Sequence, residues 1–261
     1  MNLKDFKDHI VLDYIPSWPK ELPSLIEHSK EKLKSFLNEE RRRDIRREDN
    51  YRYRVHLAEN EFRGGWNSIL AKTEIILSNK KIIGFHCTRL MDSEIDEVID
   101  IGLVPLNSDF SNQRIIKLYN NGVIRRELME KLINKEEFKD ENREGNICFF
   151  HCLSTLQNEG GLNRFFKSWG GEAIYLGFEQ NTILQKIGIP CIVVGSLDIS
   201  DLSVYPSLSK RIVCFYLNDS YYPTDFDSFI RKNVKVIEII KRGDSRFSSL
   251  THIDNWDEKI E

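Results

Sequence analysis

The stretch Lys81-Ile-Ile-Gly-Phe-His-Cys-Thr-Arg89 is the part of this chain from which the fold prediction starts. Its apolar run predicts a short buried strand. The strand delivers His86, Thr88 and Arg89 to its carboxyl end, where polar side chains can emerge into a cleft. Because side chains alternate along a strand, His86 and Thr88 share one face, and Arg89 points the other way or turns at the strand end.

The segment directly after this strand predicts a helix over 92–101. Its isoleucine and valine side chains are spaced for one face of an amphipathic helix. Asp92 or Ser93 is a suitable N-cap, and Gly102 is a suitable residue to end the helix. The sequence therefore predicts a strand followed at once by a capped helix.

Length and composition predict one large domain, or one domain with a helical extension. The chain has 261 residues, of which 40% are hydrophobic, so it can bury a sizeable core. The net charge of −3 provides no global basic surface for nucleic acid. No apolar run approaches the roughly 18 residues of a membrane span, so we expect no membrane partner.

The N-terminus and the cysteines both bear on the cellular location of the protein. The first residues have no apolar core of the signal-peptide kind. The five cysteines are odd in number, and most sit in apolar runs, as reduced and buried thiols do. We therefore expect a cytoplasmic protein.

The order of the predicted elements indicates an α+β fold. After an irregular arm over 1–19, helical patterns cover 21–57 and 66–77. A polar stretch over 107–122 precedes a further helix over 124–138. The second half of the chain predicts short strands separated by short helices. The predicted strands cover 147–152, 172–178, 191–197, 211–217 and 234–240. Helices first and strands later favour α+β over a regular βαβ series.

Two later segments also carry residues suited to ligand chemistry. The strand that begins after Gly145 contains Phe149 and Phe150, either of which offers a ring for stacking. A Trp-Gly-Gly turn then places Glu172 at the exposed tip of a predicted strand, where glycines permit close approach to a ligand. The alternatives are two core phenylalanines and a solvent-exposed glutamate beside an ordinary turn.

Other kinds of site have less support. Cys148, His151 and Cys152 suggest zinc, but no second pair at ligand spacing completes four ligands, so we expect no metal. His86 and Cys87 are adjacent on a strand and point apart, which argues against a Cys–His nucleophile. The sequence contains no phosphate-binding loop of the Walker type and no dinucleotide-binding glycine motif.

The order of these motifs resembles bacterial ADP-ribosyltransferases of the toxin and phage-defence type. These share the fold of the poly(ADP-ribose) polymerases and of the DarT-type DNA ADP-ribosyltransferases. The likeness rests on the His-x-Thr-Arg strand, the aromatic strand and the Gly-Gly-Glu turn, and it covers roughly 82–202. Cys87 stands where the polymerases have the glycine of His-Gly-Thr, and phenylalanine replaces the tyrosine of their stacking strand.

The resemblance implies a fold and a division of the chain. The fold is an ADP-ribosyltransferase-like split β-sheet core with an N-terminal helical extension. The extension would cover 1–78 and the catalytic domain 79–261.

The resemblance also implies a site for NAD, which would be a substrate rather than a resident cofactor. Glu172, His86 and Arg89 would be catalytic. Glu238 is the alternative acid, but it lies within an apolar run without a turn. The residues implied to bind NAD are His86, Cys87, Thr88, Arg89, Phe149, Phe150, Ser154 and Gly171.

The activity implied is mono-ADP-ribosyl transfer by a toxin of a toxin–antitoxin or phage-defence system. The acceptor would be nucleic acid, with RNA favoured over DNA, and an antitoxin protein would be a partner. Arginines over 41–54, beside Tyr51 and Tyr53, would contact phosphates, although interleaved acids equally indicate a solvated helix face. The alternatives are a protein-modifying transferase, an NAD glycohydrolase, and a catalytically inert module that binds a nucleotide or a protein.

Overall fold

The computed structural model describes residues 6, 8–49, 59–134, 144–157, 159–171, 174, 177–178, 180–204, 207–222 and 227–253. The strands are β1 (His9–Ile10), β2 (Lys81–Leu90), β3 (Ile147–Phe150), β4 (Ile189–Asp198), β5 (Asp227–Ile230) and β6 (Lys235–Lys241). The first five helices are α1 (Glu21–Asp49), α2 (Arg63–Leu77), α3 (Asp92–Ile101), α4 (Ser108–Asn120) and α5 (Arg126–Ile133). The later helices are α6 (Leu153–Leu156), α7 (Glu159–Lys167), α8 (Thr182–Lys186), α9 (Leu208–Leu217) and α10 (Ser245–Thr251).

The strands form one open sheet in the order β5-β3-β2-β4-β6, with antiparallel neighbours. β2 is the central strand, and it pairs with β4 over its full length, from Lys81↔Asp198 to Leu90↔Ile189. The short β1 runs parallel to the beginning of β2. The α+β fold class predicted from the sequence is confirmed.

The opposite edge of β2 is paired over a much shorter length. β3 meets β2 in register at Phe85↔Phe150, and among the described residues this is the one registered pair between the two strands. β3 pairs along its whole length with β5 instead. Past Phe85 the two strands part, so the later half of β2 turns this edge towards a cleft.

Both faces of the central strands are buried, which explains their near-continuous apolar sequence. Ile82 and Leu90 belong to a core beneath α1, α2 and α9. Phe85 and Cys87 face the other way, into a second core that α7 and α10 help to close. A third cluster joins α4, α5 and α8 around Trp169.

Residues on both sides of position 78 contribute to the same core. β1 belongs to the sheet, and Ile10 and Leu12 are buried with residues of β2 and β4. Leu33 of α1 and Trp66 of α2 lie in that same cluster. The helices of the N-terminal segment therefore cover one face of the sheet.

Three local predictions need correction. The predicted strand over 211–217 is wrong, because these residues lie in α9, which ends at Asn218 in a left-handed conformation (φ 51°). A short run of β-branched and aromatic residues does not distinguish a buried strand from a buried helix. The polar stretch over 107–122 contains α4. The N-cap of α3 is Met91 rather than Asp92 or Ser93. Much of the predicted strand over 172–178 lies outside the described residues.

Candidate functional site

An apolar cleft of about 200 Å³ opens where β2 and β3 part. α3 and α4 form one wall, and the glycine turn after α7 reaches its rim. Those of the predicted NAD-binding residues that line it are His86, Cys87, Thr88, Phe150 and Gly171. A mostly apolar pocket with a few convergent polar groups is the usual form of a small-molecule site.

His86 spans the gap between the two strands. Its Nδ1 lies 2.9 Å from the carbonyl oxygen of Cys148 on β3. Burial lowers the pKa of His86, and the positive charge of Arg114 acts in the same direction. A neutral imidazole that faces a carbonyl carries its proton on Nδ1, so Nε2 is left as an acceptor.

The edge of β2 beyond Phe85 offers backbone groups to the cleft. Alternate residues of a strand direct their N–H and C=O groups towards opposite edges, and β4 occupies only one of these edges. Thr88 lies on this segment. Cys87 also lines the cleft, but burial raises the pKa of its thiol, so it is a poor nucleophile.

Arg89 is buried on the other side of β2. Its Nε donates to the carbonyl oxygen of Ile187 at 2.7 Å, and its Nη1 donates to that of Phe166 at 3.2 Å. The side chain thus joins the end of α7 to the segment before β4. Arg89 is not among the residues that line the cleft.

The two phenylalanines of β3 have different surroundings. Phe150 lines the cleft, where its ring meets that of Phe165 edge to face at 5.7 Å. Phe149 is fully buried, with its ring against Gly84 of β2 and Gly195 of β4. Ser154 is exposed at the start of α6 and is not among the residues that line the cleft.

The turn at Gly170 and Gly171 follows Trp169, whose position several contacts fix. Trp169 is fully buried, its backbone N–H donates to the carbonyl of Leu184, and its indole N–H donates to Glu94. Gly170 has a φ of 91°, and a Cβ there would lie 2.6 Å from Cβ of Ile174, so a side chain is excluded. The chain then reaches the cleft at Gly171.

The two candidate catalytic acids are Glu172 and Glu238, and the structure describes only the second. Glu172, the residue after Gly171, lies outside the described residues. Glu238 is on β6, where its carboxylate accepts from Nη1 of Arg246 at 2.7 Å. It does not line the cleft.

Sequence reasoning missed Glu94 and Arg114. Glu94 on α3 and Arg114 on α4 form an ion pair in the cleft, with 2.8 Å between Nη2 and Oε1. The missed signal was helical spacing, because Phe110, Arg114 and Lys117 share one face of α4 at i, i+4 and i+7. The many polar residues over 107–122 did not indicate a helix, so this face was not predicted.

The arginine-rich part of α1 is largely paired where the structure describes it. Arg41 pairs with Asp219 near the end of α9, and Arg43 pairs with Glu40 within α1. Tyr51, Arg52, Tyr53 and Arg54 lie outside the described residues. These contacts satisfy part of the positive charge that the sequence proposed for phosphate binding.

The described part of the chain contains no group of three or more His, Cys, Asp or Glu side chains placed to hold a metal ion. None of its helices combines the length and apolar character that crossing a membrane requires. None of the five cysteines, all of which are described, forms a disulfide bond, and four of them are buried.

Comparisons with protein-family models, with curated proteins and with solved structures each found no match to this chain.

Proposed function

We propose that this protein is a NAD-dependent mono-ADP-ribosyltransferase that binds NAD in the cleft between β2 and β3. The proposal depends on one observation, which is that the two strands separate beyond the pair Phe85↔Phe150. His86 and Thr88 of β2 and Phe150 of β3 line the cleft between them. A sheet that splits around its ligand is what the resemblance in the sequence implies. The proposal thus rests on a likeness of motifs and on a cleft that lies among those motifs.

The cleft offers groups suited to a nicotinamide nucleoside. The edge of β2 beyond Phe85 supplies backbone groups for the carboxamide, and Nε2 of His86 is an acceptor for a ribose hydroxyl. Phe150 presents an apolar ring for the nicotinamide to pack against. Each of these groups is placed by the sheet rather than by a long loop.

The proposed reaction breaks the bond between nicotinamide and C1′ of the ribose. The bonding electron pair leaves with nicotinamide, and positive charge develops on the ribose. A nucleophilic atom of the acceptor forms the new bond to C1′ and releases its proton. We assign charge stabilisation, and acceptance of that proton, to the carboxylate of Glu172, which follows Gly171 in the chain.

The acceptor we propose is nucleic acid, RNA in preference to DNA, with an antitoxin protein as a partner of the enzyme. This part rests on the resemblance to toxins and phage-defence proteins. The described arginines of α1 add little to it, because several of them are already ion-paired.

The decisive experiment incubates the protein with NAD labelled in its adenylate part and with separate RNA, DNA and protein fractions. We expect label in RNA. Label in protein alone would support a protein-modifying transferase. Loss of NAD without labelled macromolecule would indicate a glycohydrolase, and binding without turnover would indicate an inert module.

Glu172→Gln tests the proposed acid in the same assay. The amide has nearly the shape of the carboxylate but carries no charge for the developing cation, so we expect transfer to fall about a hundredfold or more. Glu238→Gln is the matched control, and it should retain transfer because Glu238 lies outside the cleft. The opposite pattern would assign the role to Glu238.

A further inference from the structure

The wall of the cleft that α3 and α4 form contains a guanidinium that neighbouring residues hold in one orientation. Arg114 on α4 lies above the ring of Trp169, with 4.7 Å from its Cζ to the ring centroid, and 5.8 Å from that of Phe110. Its Nε donates to Oε1 of Glu94 at 2.9 Å, and its Nη2 lies 2.8 Å from the same oxygen. Nε thus makes a hydrogen bond to Glu94, whereas Nη2 lies at ion-pair distance from the same carboxylate without a hydrogen-bond partner among the described residues.

Glu94 is itself held from several sides. Its second oxygen, Oε2, accepts from the backbone N–H of Met91 at 2.9 Å and from the indole N–H of Trp169 at 2.8 Å. The carboxylate lies in the first turn of α3, where the positive end of the helix dipole stabilises it. Glu94 is therefore a buried anchor that orients Arg114.

The remaining nitrogen of Arg114, Nη1, has no partner among the described residues. The side chain is 17% exposed and lines the cleft, so this nitrogen has access to a ligand. Lys117, one turn further along α4, also lines the cleft and pairs more loosely with Glu97 at 3.6 Å. A preoriented guanidinium with a second cation beside it is suited to phosphate oxygens.

We propose that Arg114 binds the diphosphate of a nucleotide ligand in the cleft, with Lys117 as a secondary contact. This assignment rests on the proposed function, and it identifies Arg114 as the cation that pairs with the negatively charged diphosphate of NAD. Arg89, which the resemblance implied for NAD binding, donates instead to two backbone carbonyls on the opposite face of β2. Glu94 and Trp169 are positioning residues for Arg114.

The test measures binding of NAD, ADP and adenosine to the full chain and to the variants Arg114→Gln and Arg114→Lys. Losing a charge-assisted hydrogen bond should weaken NAD and ADP binding roughly tenfold to a hundredfold in Arg114→Gln. Arg114→Lys should recover part of this loss, because lysine keeps the charge without the planar donors. Binding of adenosine, which has no phosphate, should change less than twofold.

The matched control is Arg126→Gln, which removes an arginine from another arginine–glutamate pair, exposed on α5. It should leave binding of all three ligands unchanged. Equal weakening of adenosine and NAD in Arg114→Gln, with a lowered melting temperature, would overturn the proposal in favour of a structural role. Unchanged NAD and ADP binding would overturn it as well.

The outcomes separate this inference from the proposed function. If NAD and ADP bind through Arg114 but no NAD is cleaved, the diphosphate site stands and the transferase proposal fails. If the protein modifies RNA and Arg114→Gln binds NAD as the unaltered chain does, the transferase proposal stands and the diphosphate site fails.

Discussion

His151 is a residue whose chemistry is decided entirely by its surroundings. It is fully buried, with Nδ1 2.9 Å from the carbonyl oxygen of Ile83 and Nε2 2.7 Å from Oγ of Ser228. Because Nδ1 faces a carbonyl, it carries the proton, and Nε2 accepts from the serine hydroxyl. Burial lowers the pKa of His151 to about 4, and the positive charge of Arg211 contributes.

This depressed pKa predicts how stability depends on pH. The unfolded chain protonates this histidine below about pH 6.5, whereas the folded protein keeps it neutral until about pH 4. The stabilisation is therefore complete above pH 6.5 and is lost as the pH falls towards 4. In urea unfolding, protonation of His151 in the unfolded chain should lower the free energy of unfolding by about 2 kcal/mol between pH 7.5 and pH 5.

His151→Gln provides the check on that dependence. The variant should be less stable at pH 7.5 by about 1–3 kcal/mol, since buried hydrogen bonds are disturbed. The difference in free energy of unfolding between this variant and the unaltered protein should shrink as the pH approaches 5, because glutamine does not titrate. His28→Gln, which changes an exposed residue of α1 and keeps His151, should still lose stability as the pH falls towards 4. Parallel profiles for His151→Gln and the unaltered protein would contradict the assignment.

At the scale of elements, the central strands are shaped by the glycines beneath Phe149. A Cβ added at Gly84 would lie 2.5 Å from Cδ1 of Leu197 and 2.9 Å from Cδ1 of Phe149. Gly195 on β4 is similarly crowded by the ring of Phe149. Because these two glycines have no side chains, the ring of Phe149 can lie across β2 and β4 close to the point where β3 and β2 part.

Gly84→Ala should therefore destabilise the protein by about 1–3 kcal/mol, the usual cost of overpacking a core. Gly64→Ala is a matched control in α2, where a Cβ would have nothing within 4 Å. That variant should be more stable by about 0.5–1 kcal/mol, because alanine favours the helix. Urea unfolding curves for the two variants should shift in opposite directions. A Gly84→Ala variant as stable as the unaltered chain would show that the ring moves aside freely.

The elements themselves were predictable where one pattern dominated. α3 has the predicted bounds, because its apolar period and Gly102 both specify them. α9 was missed because its apolar run has no polar face from which to read a period. An apolar period identifies a helix reliably when burial falls on one side of it.

At the scale of the whole molecule, the N-terminal helices and the sheet share a core. Leu22, Ile26 and Leu37 of α1 are fully buried in the cluster that contains Ile82 of β2 and Val193 of β4. Removing α1 and α2 would expose this apolar face of the sheet to water.

A truncated chain that begins at residue 79 should therefore fail to fold cooperatively. We expect weak near-ultraviolet circular dichroism and rapid proteolysis, whereas the full chain should show a single unfolding transition. A truncated chain with a sharp transition of its own would instead support the predicted boundary between 1–78 and 79–261.

Local sequence was sufficient for the α+β class and for a buried strand around Ile82, Ile83 and Phe85 with the helix that follows it. These features follow from periodicity and chain order, which are properties of short segments. Only the tertiary structure decided that Arg89 turns away from the cleft and that Arg114 faces it. Those two outcomes depend on which helix packs against which strand edge, and contacts between distant segments, such as Glu94 with Arg114 and Trp169, determine that packing.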